Sequence, residues 1–310
     1  MNLIDNNKRY NTIDRYYKNK YGKKVAKISL NANFSCPNKD GTKGYGGCTY
    51  CSILGSGDFA GDKTKELLTQ FIEIKSIINQ KWPDALYMPY LQANSNTYGS
   101  IKKLQETYEP LTKIPDIIGI SIATRSDCFT DEIYAYLGEL NTRIPIQIEL
   151  GLQTIHEKTA NRINRGSTLN EFVDCVKKLH ELKIEIVVHI INGLPGEDKE
   201  MMLETINFLN TLPIQGIKIH SLLVIKNTKM ALEYLEKPFA ILTLEEYVDI
   251  VCDQIELLRN DIIIHRLAAD SHPDDLITPL WTRKKLVVMN EIDKEMRRRN
   301  TYQGQKYISA

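Results

Sequence analysis

The chain of 310 residues is 42% hydrophobic and 25% charged, enough for a sizeable core and within the length of an α/β barrel built as one unit. No apolar run approaches the ~20 residues needed to span a bilayer. Residues 1–7 are polar with no signal-type core, and six cysteines are too few for a secreted disulfide scaffold, so the expected location is the cytoplasm with no membrane partner.

The formal net charge of +1 hides an uneven distribution: residues 1–27 carry +6, residues 283–310 carry +5, and the middle is strongly acidic. Basic ends of this kind suit a polyanion partner; ordinary solvated surface is the equal alternative. Residues 8–27 interleave Lys and Arg with Tyr10, Tyr16, Tyr17 and Tyr21. Such a segment either stacks and grips RNA or forms a basic amphipathic helix packed over one end of the fold.

A first strand is expected over 25–30, running into a cysteine-bearing loop, with a second glycine-rich loop over 52–61. Helical spacing of apolar residues predicts a helix over 64–82, then a strand over 85–91 ending in the polar cluster 92–98. A helix over 100–111 and a strand over 117–123 follow, the latter ending at Arg125 and Asp127. Thr130 caps a helix to 140, and a strand over 144–150 leads to Gln153. Thr168 and Glu171 have capping-box spacing for a helix to 182, and a strand over 184–190 follows. A helix over 199–212, a strand over 216–224, a second capping box at Thr243 and Glu246 with a helix to 259, a strand over 261–267 and a basic helix over 282–299 complete the chain.

Seven strands alternating with helices imply parallel pairing with right-handed crossovers. The fold class is α/β, either doubly wound or a full or partial (β/α) barrel, and the polar residues fall just after strands, where a barrel gathers its active site. The simplest organisation is one domain over 1–310: a basic extension over 1–24, a core barrel over 25–225, and a C-terminal extension over 226–310 with the last strand and the basic helix.

The stretch Cys36-Pro-Asn-Lys-Asp-Gly-Thr-Lys-Gly-Tyr-Gly-Gly-Cys48-Thr-Tyr-Cys51 places three cysteines in a loop without an apolar face. Cysteine that packs as a small hydrophobe belongs elsewhere, as Cys128, Cys175 and Cys252 do beside apolar neighbours. Three thiolates and no nearby His point to a metal centre with one position left for something other than cysteine: zinc, or a four-iron cluster with an open iron.

This loop, with Ser121-Ile-Ala-Thr-Arg-Ser-Asp-Cys128, Glu149-Leu-Gly-Leu-Gln153, Asn164-Arg165-Gly166, Gly193-Leu-Pro-Gly-Glu197, Arg266-Leu and Pro279-Leu-Trp281, resembles the radical S-adenosylmethionine (SAM) enzymes. The widened gap between the first two cysteines resembles the branch related to the Elongator catalytic subunit. The resemblance implies a partial (β/α)6-type TIM-like barrel with N- and C-terminal extensions. It implies a [4Fe–4S] cluster on Cys36, Cys48 and Cys51 whose fourth iron chelates SAM, and an electron that cleaves SAM to a 5′-deoxyadenosyl radical. Tyr50 matches an aromatic near the adenine, and the tip holding Gln92, Asn96 and Thr97 occupies the place of the motif that binds the SAM amino group. Gln153 and Arg165 match polar SAM contacts, Glu149 is a weaker candidate, His189 holds a cofactor-facing position, and Leu194 lies in a turn beside adenine. Each has a plainer alternative: Glu149 faces a basic partner across the sheet, Arg165 is a surface arginine, His189 a core histidine, Gly193 to Gly196 a turn. No catalytic residue is identified.

For substrate, the resemblance implies the C5 side chain of a tRNA wobble uridine, in the carboxymethylaminomethyl/aminomethyl-uridine pathway, with a flavodoxin or ferredoxin as reductant and a tRNA methyltransferase downstream. A radical SAM enzyme acting on a small molecule or peptide, and a zinc-binding RNA-interaction protein, stay open as alternatives.

Overall fold

The computed structural model describes residues 8–55 and 57–308; the polar stretch 1–7 lies outside them. All seven expected strands are present: β1 Val25–Leu30, β2 Leu86–Leu91, β3 Ile120–Thr124, β4 Ile146–Gln153, β5 Glu185–Asn192, β6 Gly216–Ser221 and, after the short β7 Val224–Ile225, β8 Ile263–Arg266. They form one sheet in the order β1-β2-β3-β4-β5-β6-β8, every pair parallel. The sheet curls into a half-barrel with its helices on the convex side, so the six core strands and the added seventh follow the expected partial barrel.

Capping chemistry sets several helix starts. Thr130 Oγ1 accepts from Ile133 N at the head of α4 (Asp131–Arg143), and full capping boxes at Thr168/Glu171 and Thr243/Glu246 open α6 (Leu169–Glu181) and α9 (Leu244–Leu257). The first helix α1 (Ile13–Tyr21) ends on Gly22 at φ 69°, and α2 (Leu67–Lys81) and α3 (Ile101–Tyr108) cover the first strands. The short α5 (Glu157–Arg162), α7 (Lys199–Leu209), α8 (Lys229–Glu236) and α10 (Lys285–Arg298) complete the set. α5 and α8 were not expected, being too short for a periodic pattern to show. Among the described residues no helix is long and apolar enough to cross a membrane.

One expectation is corrected. The sixth strand stops at Ser221; Val224–Ile225 leaves the sheet and pairs antiparallel with β9 (Leu276–Thr278). Of the two readings of the basic N-terminal segment, the structure has the helix packed over one end of the fold. Tyr10 and Tyr17 are buried, and Tyr17 packs with Val25, Met88, Leu86 and Ile118 at the strand beginnings, so α1 closes the end of the barrel opposite the cysteine loop. The two basic ends meet: Lys8 and Tyr10 both reach Asp293, and Asn11 N donates to Gln303 Oε1 at 2.9 Å.

Parallel strands covered on both faces usually read as continuous apolar runs. Here Ala26, Ile28, Leu30, Ile120, Ile122, Ile148, Leu150, Ile186, Val188, Ile217 and Ile219 form the layer beneath the helices. The alternate residues face the barrel interior and are largely polar: Lys27, Tyr90, Ser121, Gln147, Glu149, His189 and Lys218. That inward polar face is what makes these strands alternate.

Candidate active site at the mouth of the half-barrel

The cysteine loop holds its shape through turns and braces. Lys39 N and Asp40 N donate to Cys36 O at 2.8 and 3.2 Å, Gly47 N to Asn38 O at 2.7 Å, and Cys51 N closes the last turn on Cys48 O at 3.0 Å. Gly46 has φ +76°, where a side chain is strained, and a Cβ there would come within 2.9 Å of Lys229 Nζ. Thr49 ties the loop to the rest of the fold, donating to Ile163 O and accepting from Met230 N, both at 2.9 Å. Asn38 Nδ2 donates to Asn164 O at 2.5 Å and lies 3.7 Å from Cys48 Sγ.

Cys36, Cys48 and Cys51 line one cavity of about 270 Å³. Burial pushes the Cys48 thiol up, against the pull of the Arg125 charge. Arg125 is itself fixed: it grips Asp127 in a two-pronged pair at 2.9 and 2.8 Å and donates to Arg165 O at 2.6 Å. Burial would raise Asp127, but its bonds to Arg125 and Lys43 hold it below the usual carboxylate range. A fixed cation therefore stands beside thiols that must ionise to bind metal. Among the described residues no group of three or more His, Cys, Asp or Glu side chains is arranged around a single ion. Three thiols on a cavity wall, without a fourth, fit a cluster that leaves one iron open.

Tyr50, Gln92, Glu149, Gln153 and His189 share the cavity with the thiols. Tyr50 lies close enough to Cys48 and Cys51 that their charges, after burial, raise its hydroxyl well above the usual value. Gln153 sits at φ 64°, past a register shift at the tip of β4, and a Cβ on Gly151 would come within 2.5 Å of its Nε2. Gly151 thus leaves room for a bulged tip that turns Gln153 over the strand.

Four expected contacts lie behind the wall. Asn96 Nδ2 clamps two strand tips through Leu91 O, Ala93 O and Ala123 O, and Thr97 Oγ1 bonds Thr124 Oγ1 at 2.6 Å. Arg165 is 2% exposed and spends its guanidinium on Ser167 O, Leu152 O and Thr154 O at 2.7–2.9 Å. It is neither a surface arginine nor part of the cavity lining. Leu194 is buried with Ile163, Leu222, Val224, Met230 and Ala231, a cluster against which Tyr50 packs. Asn96, Thr97, Arg165 and Leu194 shape the mouth from outside it.

Glu149 is the centre of a buried network. Its Oε1 accepts from Lys27 Nζ at 2.5 Å and Ser121 Oγ at 2.9 Å; its Oε2 accepts from His189 Nε2 at 2.7 Å and from Lys218 Nζ. Burial alone would raise its pKa, but the Lys218 and Lys27 charges and the His189 bond hold it well below the carboxylate range. His189 is lowered to about 4, first by burial and then by Lys218, so it is a neutral donor. Burial lowers Lys218 to about 7, with Lys27 and Arg266 adding and Glu149 opposing. Lys27 and Lys218 were missed in sequence, although a lysine midway along an otherwise apolar strand is a signal for an inward charge. Arg266, His220 and Ser221 also line the cavity, the last two unforeseen.

The profile of the Radical SAM superfamily matches residues 43–209, and that of the Radical_SAM C-terminal domain matches residues 214–298. The chain is 45% identical over 297 residues to YtqA of Bacillus subtilis (strain 168), covering 96% of this chain and 92% of that protein. A shorter match, 30% over 117 residues, covers 36% of this chain and 21% of a tRNA uridine(34) acetyltransferase of Methanocaldococcus jannaschii. In structure it is similar to an archaeal Elp3 of Methanocaldococcus infernus with an N-terminal deletion, at TM-score 0.66 and 14% identity, covering 90% of this chain and 64% of that one. With one profile spanning more than half of its residues, the chain belongs to the radical SAM superfamily, enzymes that work with a [4Fe–4S] cluster and S-adenosylmethionine.

Proposed function

We propose that Cys36, Cys48 and Cys51 hold the cluster, that SAM lies between them and the β4–β5 tips, and that the enzyme remodels the C5 side chain of a tRNA wobble uridine. The observation that carries the site reading is that three thiols, Tyr50, Gln153 and His189 line one cavity. Bound together, cluster and SAM supply one-electron reduction and a carbon-centred radical. This chain's own residues do the rest. Tyr50 offers a ring face packed on the Leu194 cluster, Gln153 offers an amide at a fixed bulge, and the braced loop spaces the three thiols. Arg125 supplies a permanent charge beside the ligands, which favours thiolate over thiol.

The tRNA reading is supported by the match to a protein named for tRNA uridine(34). The first helix gives it no support, since its lysines lie at the end of the barrel away from the cavity. A flavodoxin or ferredoxin suits the reductant, a tRNA methyltransferase the downstream step, and the cytoplasm the location.

Anaerobic reconstitution with iron and sulfide tests the site: broad absorption near ~400 nm is expected in the wild type and in Cys175→Ser, and is lost in Cys36→Ser, Cys48→Ser and Cys51→Ser. Nucleoside profiles of tRNA from cells with and without the gene test the substrate. An unchanged wobble-uridine profile would overturn the tRNA reading.

A further inference from the structure

The cavity floor lies three residues below the strand tips, about 10 Å deep at the rise of a strand, and carries more positive than negative charge. Lys27 and Lys218 share the single carboxylate of Glu149. Arg266 on β8 has Asp270 at 3.7 Å, a carboxylate that Lys285 already takes at 2.5 Å. The histidines add nothing, because burial holds His189 and His220 neutral. Beside the cations, His220 Nε2 is buried without a hydrogen-bond partner. Lys218, His220, Ser221 and Arg266 all line the cavity.

A buried polar atom left unpaired is costly, and so is a buried ammonium such as Lys218 that shares its only carboxylate with a second lysine. An anion relieves both at once. We propose that Lys218 and Arg266, register neighbours on β6 and β8, with His220 as a hydrogen-bond donor, form an anion subsite that receives a carboxylate carried by the substrate. A carboxylate matches on two counts: Lys27 and Lys218 share one carboxylate, which leaves a place for a second, and a planar guanidinium pairs with a planar carboxylate. The subsite rests on the RNA reading only for the identity of the molecule that brings the carboxylate.

The test uses the full chain with three readouts. Line broadening of 13C-acetate should saturate with the wild type and weaken about tenfold in Lys218→Met and Arg266→Gln, the loss of one charge-assisted bond. It should be unchanged in Arg297→Gln. Both variants should fold, as melting by circular dichroism will check, because Glu149 keeps Lys27, Ser121 and His189. Absence of saturation in the wild type, or equal binding in the variants, overturns the subsite. A tenfold loss of SAM affinity in both variants also overturns it, since the site would then belong to the cofactor's own carboxylate. Last, tRNA whose wobble C5 side chain ends in a carboxylate should bind more tightly than the same tRNA ending in an amine, and Lys218→Met should erase the difference. If neither tRNA binds, the RNA reading fails and the acetate result alone decides the subsite.

Discussion

Lys27 on β1 and Glu149 on β4 meet at 2.5 Å across the barrel interior, although two strands separate them in the sheet. The carboxylate is fully buried, and Lys218 is its second cation. Removing it in Glu149→Ala leaves the buried Lys218 ammonium without its carboxylate and Lys27 with only the neutral partners Ser121 and Gln147, at a cost of about 3–5 kcal/mol. Glu149→Gln, which keeps hydrogen bonding, should lose less. Urea denaturation measures both, and a loss below about 1 kcal/mol in the alanine variant would show that the network has no structural weight.

Lys218 gains its proton near neutrality, since burial lowers it to about 7. The groups facing it are Lys27, Tyr90, Glu149, His189, His220 and Arg266, of which Glu149 stays ionised and the histidines stay neutral. An anion needs the charged lysine, so acetate affinity should fall as pH rises from 7 to 9. Affinity that climbs with pH over that window would contradict the assignment. Stability moves the other way: the unfolded chain holds this proton up to pH ~10, so the contribution from Lys218 to folding grows above pH 7.

Arg165→Ala leaves three buried main-chain carbonyls without their donor and should cost on the order of 2–4 kcal/mol. Because the guanidinium is spent on main-chain carbonyls and Arg165 is not among the cavity-lining residues, SAM affinity of the folded variant should stay within about twofold. Equilibrium dialysis below the melting point checks this, and a large loss of SAM affinity would return Arg165 to the binding site.

The C-terminal arginines divide sharply. Arg299 joins α10 to α9 through Asp249 and Asp253 and also holds Glu295, whereas Arg297 is exposed. Arg299→Gln should lower stability by about 1–3 kcal/mol and Arg297→Gln by less than about 0.5, both measured by thermal unfolding. Equal effects would mean that the network on Arg299 is as weak as a surface pair.

Fold and family were legible because both leave local signals. Period-2 alternation marks strands, threonine caps mark helix starts, and three cysteines within sixteen residues mark a metal loop. The partners of Glu149 were not legible, since Lys27 lies 122 residues before it and Lys218 lies 69 after. Only strand order and register bring them together. Spacing also cannot tell a polar side chain turned toward ligand from one turned toward backbone, which is why Asn96, Thr97 and Arg165 were expected in the cavity. Strands of two and three residues, β7 and β9, are too short to leave a pattern at all.

The braces on Thr49 have a consequence for synthesis. The peptide that carries the thiols leaves the ribosome early, but its main-chain partners are Ile163 and Met230. A nascent chain that ends before residue 230 therefore exposes three reactive thiols without the frame that spaces them. On the proposed assignment of the cluster to these thiols, iron and sulfide delivered then would meet a loop without its two outer anchors, so productive loading is expected only after about three-quarters of the polypeptide has emerged.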